Sequence, residues 1–74
     1  MNRVLERAIG ERVQELRHQQ ALTQSEFVRA LRAEGLNWYV TTVSAVENGR
    51  RPMRFSEAVI VCRTFDAELN QLAP

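Results

Sequence analysis

The stretch Leu22-Thr23-Gln24-Ser25-Glu26-Phe27 leaves the chain little local freedom. Thr23 and Glu26 have the spacing of a capping box. The Thr hydroxyl accepts from the third helical N–H, and the Glu carboxylate accepts from the cap's own N–H. Leu22 before the cap and Phe27 at the fourth helical position form a hydrophobic staple, which fixes how the chain enters the helix. A second helix therefore starts here, and whatever precedes it must break near Ala21 and Leu22. Phe27 and Leu31, with Val28, turn an apolar face to the core, while Arg29 and Arg32 face outward. This helix runs to Glu34. Gly35 stops it, with Leu36 as the hydrophobic partner that follows such a stop.

The rest of the chain is phased from this point. Residues 3–20 read as one helix that Asn2 could cap, with Leu5, Ile9, Val13 and Leu16 as its core stripe. Gly10 inside it costs about 1 kcal/mol against Ala. The pattern leaves two outcomes, a bend at Gly10 or a looser arm over residues 1–8. Arg3, Glu6, Arg7, Glu11 and Glu15 read as a solvated face, and His18 as a surface residue favoured by the helix dipole. A third helix starts near Tyr39 and ends at Gly49, with Trp38 packing on Val43 as a second staple. Val43 and Val46 share its inner face. Thr41, Ser44, Ala45 and Asn48 share the other, which carries no long charge. Small polar and methyl groups of this kind suit base edges in a major groove; a plain connecting helix is the other reading. A fourth helix opens at Arg54 or Ser56 and runs to about Phe65. Its expected stripe is Phe55, Val59, Cys62 and Phe65. Ala58, Ile60 and Val61 make it apolar nearly all round, as in a central or interface helix. Residues 66–72 read as a short fifth helix with Leu69 and Leu72 inward. The expected fold class is all-α, a compact bundle of four to five short helices in a single domain over residues 1–74.

A 74-residue chain buries only about 60% of the surface its unfolded form exposes. One Cys and one His exclude an internal disulfide and any multi-Cys metal site. No apolar run reaches the length of a signal core or a bilayer span. The expectation is a cytoplasmic chain with no membrane contact, no cofactor and no metal. Ser25, Ser44, Ser56 and Cys62 are nucleophiles in name only, and Cys62 on a core stripe reads as a small packed hydrophobe. No catalytic residue is expected. Net charge is only +1, weak support for a nucleic-acid partner. The distribution says more. All ten basic residues are Arg, and Arg50, Arg51 and Arg54 cluster with no acid between them. Arg favours bidentate phosphate contacts, although genome base composition accounts equally well for an Arg-only chain.

Taken together, Leu22-Thr23-Gln24, Phe27, Thr42-Val43-Ser44, Glu47, Gly49, Arg51 and Pro52 resemble the lambda-repressor-like helix-turn-helix family, which includes Cro and the xenobiotic-response-element regulators. The resemblance covers about residues 9–72, with the helix-turn-helix at about 23–49. It implies a second helix across the DNA backbone and a third in the major groove. Val40, Thr41, Ser44 and Ala45 would then read bases. Gln24, Asn48, Arg50 and Arg51, with neighbouring Arg54, would hold phosphates, and Gln24 would also buttress the third helix. Arg17 and Glu47 would form a structural ion pair. The chain departs from the pattern in three places. Arg32 to Trp38 lengthen the second helix and its turn, Val40 and Ala45 stand where relatives often carry long polar residues, and Arg54 stands where a helix cap is usual. The implied function is sequence-specific binding of a double-stranded DNA operator by a phage or bacterial regulator of repressor type. The alternative is a protein-interaction module on the same fold, such as an antitoxin that neutralises a partner. A homodimer, a further domain or a protein partner would use the fourth or fifth helix.

Overall fold

Helix starts and stops written in the sequence set the element order. The computed structural model describes residues 3–74, so the cap assigned to Asn2 lies outside the described residues. The elements are α1 (Arg3–Gln19), α2 (Gln24–Ala33), α3 (Val40–Glu47), α4 (Phe55–Phe65) and a 3-10 turn (Leu69–Gln71), with no strand among the described residues. The chain is all-α.

At the head of α2 both halves of the capping box form: Glu26 N–H donates to Thr23 Oγ1 at 3.1 Å, and Thr23 N–H donates to Glu26 Oε1 at 2.8 Å. These bonds from Thr23 hold the Glu26 carboxyl below its ordinary pKa. The other two starts use only the returning half. Tyr39 N–H donates to Thr42 Oγ1 at 3.2 Å, and Arg54 N–H donates to Glu57 Oε1 at 2.9 Å. Neither Tyr39 nor Arg54 caps with its own side chain.

All four helices end in the same six-to-one bond from a residue just past the helix back to the last turn. Leu22 N–H reaches Arg17 O at 3.1 Å, Leu36 reaches Leu31 at 2.9 Å, Arg50 reaches Ala45 at 2.9 Å and Ala67 reaches Cys62 at 2.8 Å. The motif needs a left-handed residue one position earlier. Gly35 and Gly49 supply it at two ends, Ala21 (φ 56°) and Asp66 (φ 53°) at the others. For Ala21 that conformation costs roughly 1–2 kcal/mol.

The core joins Val13 and Leu16 of α1, Phe27, Val28 and Leu31 of α2, Val43 and Val46 of α3, and Val61, Cys62 and Phe65 of α4. Trp38 and Leu72 close it. The rings of Phe27 and Phe65 stack with centroids 4.6 Å apart, tying α2 to α4. Helix α3 packs against both α1 and α2.

Three sequence expectations need correction. First, α1 runs unbroken from Arg3 through Gly10, so residues 3–8 are helix and not a loose arm. Gly10 is required by packing. A Cβ there would run into Val46 O and stand 2.9 Å from Glu47 O, because the end of α3 lies directly on α1. The stripe at its front is also shorter than expected, since Leu5 is 42% exposed and Ile9 only half-buried. Second, the buried line of α4 is Glu57, Val61, Cys62 and Phe65, while Phe55 is 75% exposed and Val59 half-buried. A helix apolar nearly all round carries no phase in its hydrophobicity, and Phe55 at the first helical position lies outside the buried line, on the wall of an open hollow with Met53 and Leu69. Third, residues 66–72 hold only the 3-10 turn, which buries Leu72 and leaves Leu69 41% exposed. No helix of the described residues is long and apolar enough to cross a membrane.

Candidate nucleic-acid interface

Helix α3 turns Val43, Val46 and Glu47 inward. Outside the buried line lie Val40 and Thr41, both exposed, Ser44 and Ala45, both half-buried, and the half-buried Thr42, whose hydroxyl serves the helix start. Val40, Thr41, Ser44 and Ala45, the sequence candidates for base reading, lie within one short helix. Its far end is closed by Asn48, whose Nδ2 donates to Ser44 O at 2.8 Å and approaches Ser44 Oγ at 3.4 Å. The outward face is short, small in relief and free of charge.

Two carboxylates hold that helix in place. Glu47, the last residue of α3, receives Arg17 Nε at 2.7 Å on one oxygen and Arg17 Nη2 at 2.9 Å on the other. The two side chains are 8% and 1% exposed. A bidentate fork of this kind fixes direction as well as distance. Arg17 Nη1 also donates to Leu22 O at 2.8 Å, which fastens the turn before α2. Gln24 Nε2 donates to Glu47 Oε1 at 3.2 Å, so Gln24 does brace α3 from the first turn of α2. The bonds to Glu47 raise the Arg17 pKa.

The second carboxylate is Glu57, which sequence reasoning missed. It receives Arg51 Nη1 at 3.1 Å and Arg51 Nη2 at 3.0 Å, Trp38 Nε1 at 3.1 Å, and the Arg54 N–H already described. The Arg51 guanidinium also lies 5.3 Å from the centroid of the Trp38 ring. These donors, Arg51 foremost, hold the Glu57 carboxyl down at about 2. The signal was available. A Glu at the third helical position answers a backbone N–H at the helix start, and a buried Trp needs an acceptor for its indole N–H.

This network gives Arg51, expected as a phosphate contact, a structural role within the chain. Its guanidinium is occupied by Glu57 and by Pro52 O at 3.0 Å, and it ties the loop after α3 to α4. Arg50 and Arg54 remain as exposed cations outside any ion pair among the described residues. Arg32 is exposed, as expected, and its guanidinium lies along the long turn: Nε donates to Trp38 O at 3.3 Å, and the guanidinium lies 5.2 Å from the Tyr39 ring centroid. The extra length between α2 and α3 is therefore built structure.

Cys62 is buried, and burial pushes its thiol pKa up, away from the reactive thiolate. Among the described residues no three His, Cys, Asp or Glu side chains converge as a metal ion would require.

The comparisons with known proteins agree with this geometry. The family model described as a helix-turn-helix domain matches residues 8–74. In structure the chain is similar to the DNA-binding domain of BldD, with a TM-score of 0.86 and 19% identity over the whole of both chains. That likeness shows a shared fold alone. It is also similar to the restriction-modification controller protein C.AhdI from Aeromonas hydrophila, with a TM-score of 0.75 and 26% identity over 89% of this chain and 92% of that one. No curated protein matches it in sequence.

Proposed function

We infer the function of this chain from its family: it belongs to the helix-turn-helix domains of the Cro and xenobiotic-response-element kind, and we propose that it binds double-stranded DNA sequence-specifically as a transcriptional repressor of a phage or bacterium. Residues 1–74 then act as one DNA-binding domain. The observation that carries this reading is the outer face of α3. Val40, Thr41, Ser44 and Ala45 are presented to solvent on a helix whose inner face and both ends are fastened. Methyl groups and small hydroxyls there suit thymine methyls and base edges. Gln24, Asn48, Arg50 and Arg54 flank the face and would hold phosphates, positioning the helix without reading sequence. Operator occupancy would block transcription.

Selection of bound sites from random duplexes tests this. A defined motif is expected, and Thr41→Ala should change the preferred base at one position, by about 1–3 kcal/mol. Arg50→Ala should weaken every duplex alike and lower the salt slope by about 1. Salt-insensitive binding, or none, would sink the proposal.

A second reading is favoured by one observation. Phe55, 75% exposed, forms one wall of a mostly apolar hollow of about 340 Å³ that Ile9, Met53, Ala58, Leu69 and Leu72 also line, with Glu6 at its edge. An exposed apolar face of this kind can be covered by a second copy of this chain about a two-fold axis. Phe55→Ser should leave the melt intact and reduce dimer in sedimentation. A monomer at all concentrations would exclude self-association there and leave the face to a different protein.

A further inference from the structure

Past the end of α3 the chain folds back onto the front of α1. A Cβ at Gly49 would stand 2.7 Å from Arg7 Cα, so the glycine lets the two backbones touch. This brings arginines from distant parts of the sequence round one recess. Arg3, Arg7 and Arg50, with Asn48 and Gly49, line a hollow of about 500 Å³. Arg3 and Arg50 are exposed and form no ion pair among the described residues. Arg7 meets Glu11 only at 3.9 Å, with side chains 77% and 62% exposed, and such a pair holds weakly. Three cations gathered with so little counter-charge repel one another, and an anion among them reverses the sign of that interaction.

We propose that this recess takes a backbone phosphate of the bound duplex, which makes the first turns of α1 part of the DNA interface. The inference rests on the DNA-binding reading. Guanidinium groups match phosphate oxygens two at a time. The recess shares Asn48 and Arg50 with the residues flanking α3, so it continues the same face by one phosphate. Arg3 and Arg7 precede the span that the family model matches, so the family match does not account for this contact.

The test is a salt series on a selected duplex with the wild type, the double variant Arg3→Gln/Arg7→Gln, and Arg12→Gln as an α1 control, each checked by its thermal melt. The double variant should keep its melt and its base preference, and its slope of log affinity against log salt should fall by about 0.9, the share of one phosphate. Arg12→Gln should leave the slope unchanged. An unchanged slope in the double variant, with Arg50→Gln still lowering it, overturns this inference and leaves the DNA-binding reading standing. A wild type that binds no duplex overturns both. Calorimetry with inorganic phosphate alone separates the two sources of the anion. Micromolar binding that the double variant loses would assign the recess to a free phosphate and overturn the duplex contact.

Discussion

The two arginine–glutamate clamps around α3 share a geometry and differ in their access to water. Arg17 and Glu47 join α1 to the last residue of α3, with side chains 8% and 1% exposed. Arg51 and Glu57 join the loop after α3 to the first turn of α4, with side chains 37% and 12% exposed. Each is a bidentate pair with further donors on the carboxylate. The difference decides what each can do. A dry pair holds position firmly, and its loss is severe because the surviving charge has no solvent to turn to. A pair at the water's edge contributes less, since solvent replaces part of what is lost.

The comparison can be broken most forcefully at the inner pair. Arg17→Ala or Glu47→Ala should each cost about 3–5 kcal/mol, because one buried charge stays unpaired. The double variant should cost far less than the sum, read as coupling in a denaturant cycle. Additive losses would mean that the two charges do not depend on each other.

Acid should act on the outer clamp next. The Glu57 pKa is about 2 in the fold against 4.5 for the free side chain. A depressed carboxylate contributes stability that is fully present above its unfolded pKa and lost as pH falls through its folded one. The loss should therefore develop between pH 4.5 and 2 and reach at most about 3 kcal/mol. Glu57→Gln should flatten that part of the profile, and an unchanged acid limb would show that Glu57 does not govern it.

Arg51→Ala should cost less than the inner substitutions, about 2 kcal/mol, because the Trp38 and Arg54 N–H donors still serve the carboxylate. If it matched Arg17→Ala in a thermal melt, exposure would not be the variable that separates the clamps. The smallest effect is a gain. Ala21→Gly relieves a left-handed alanine beside the turn that Arg17 fastens, and should add about 1 kcal/mol. It should do so without changing the Arg17–Glu47 coupling, which would confirm that backbone strain and ion pairing are separate there.

The inner clamp was legible only through family resemblance, and of the outer one only Glu57 at the third helical position had a local signal. Arg17 and Glu47 are thirty positions apart, and no local pattern joins them. The α2 boundaries were legible because Thr23, Glu26 and Gly35 act on their own neighbours. Glu57 was missed because its partners Trp38 and Arg51 belong to a loop and a turn, where periodicity says nothing. The phase of α4 failed for the opposite reason, too many apolar residues rather than too few. Gly10 could be seen as a cost in a helix, but its cause lies in the carbonyl groups of α3. Of the candidate interface, the spacing puts Thr41, Ser44 and Ala45 on the outer side of α3, where the structure also has them, while the cluster Arg50-Arg51-Arg54 hides that the Arg51 guanidinium is engaged by Glu57.

The way α3 is anchored has a further meaning for descent and redesign. Its attachments run through Val43, Val46, Glu47, the Tyr39 backbone and the tight turn at Gly49. The side chains of Val40, Thr41 and Ala45 take no part in them, and Ser44 answers only Asn48. The exposed Val40 and Thr41 can vary without disturbing the scaffold, and the half-buried Ser44 and Ala45 leave less room for change. The outer surface of α3 can therefore be rewritten one substitution at a time, each variant passing through a folded intermediate, like type exchanged in a fixed frame.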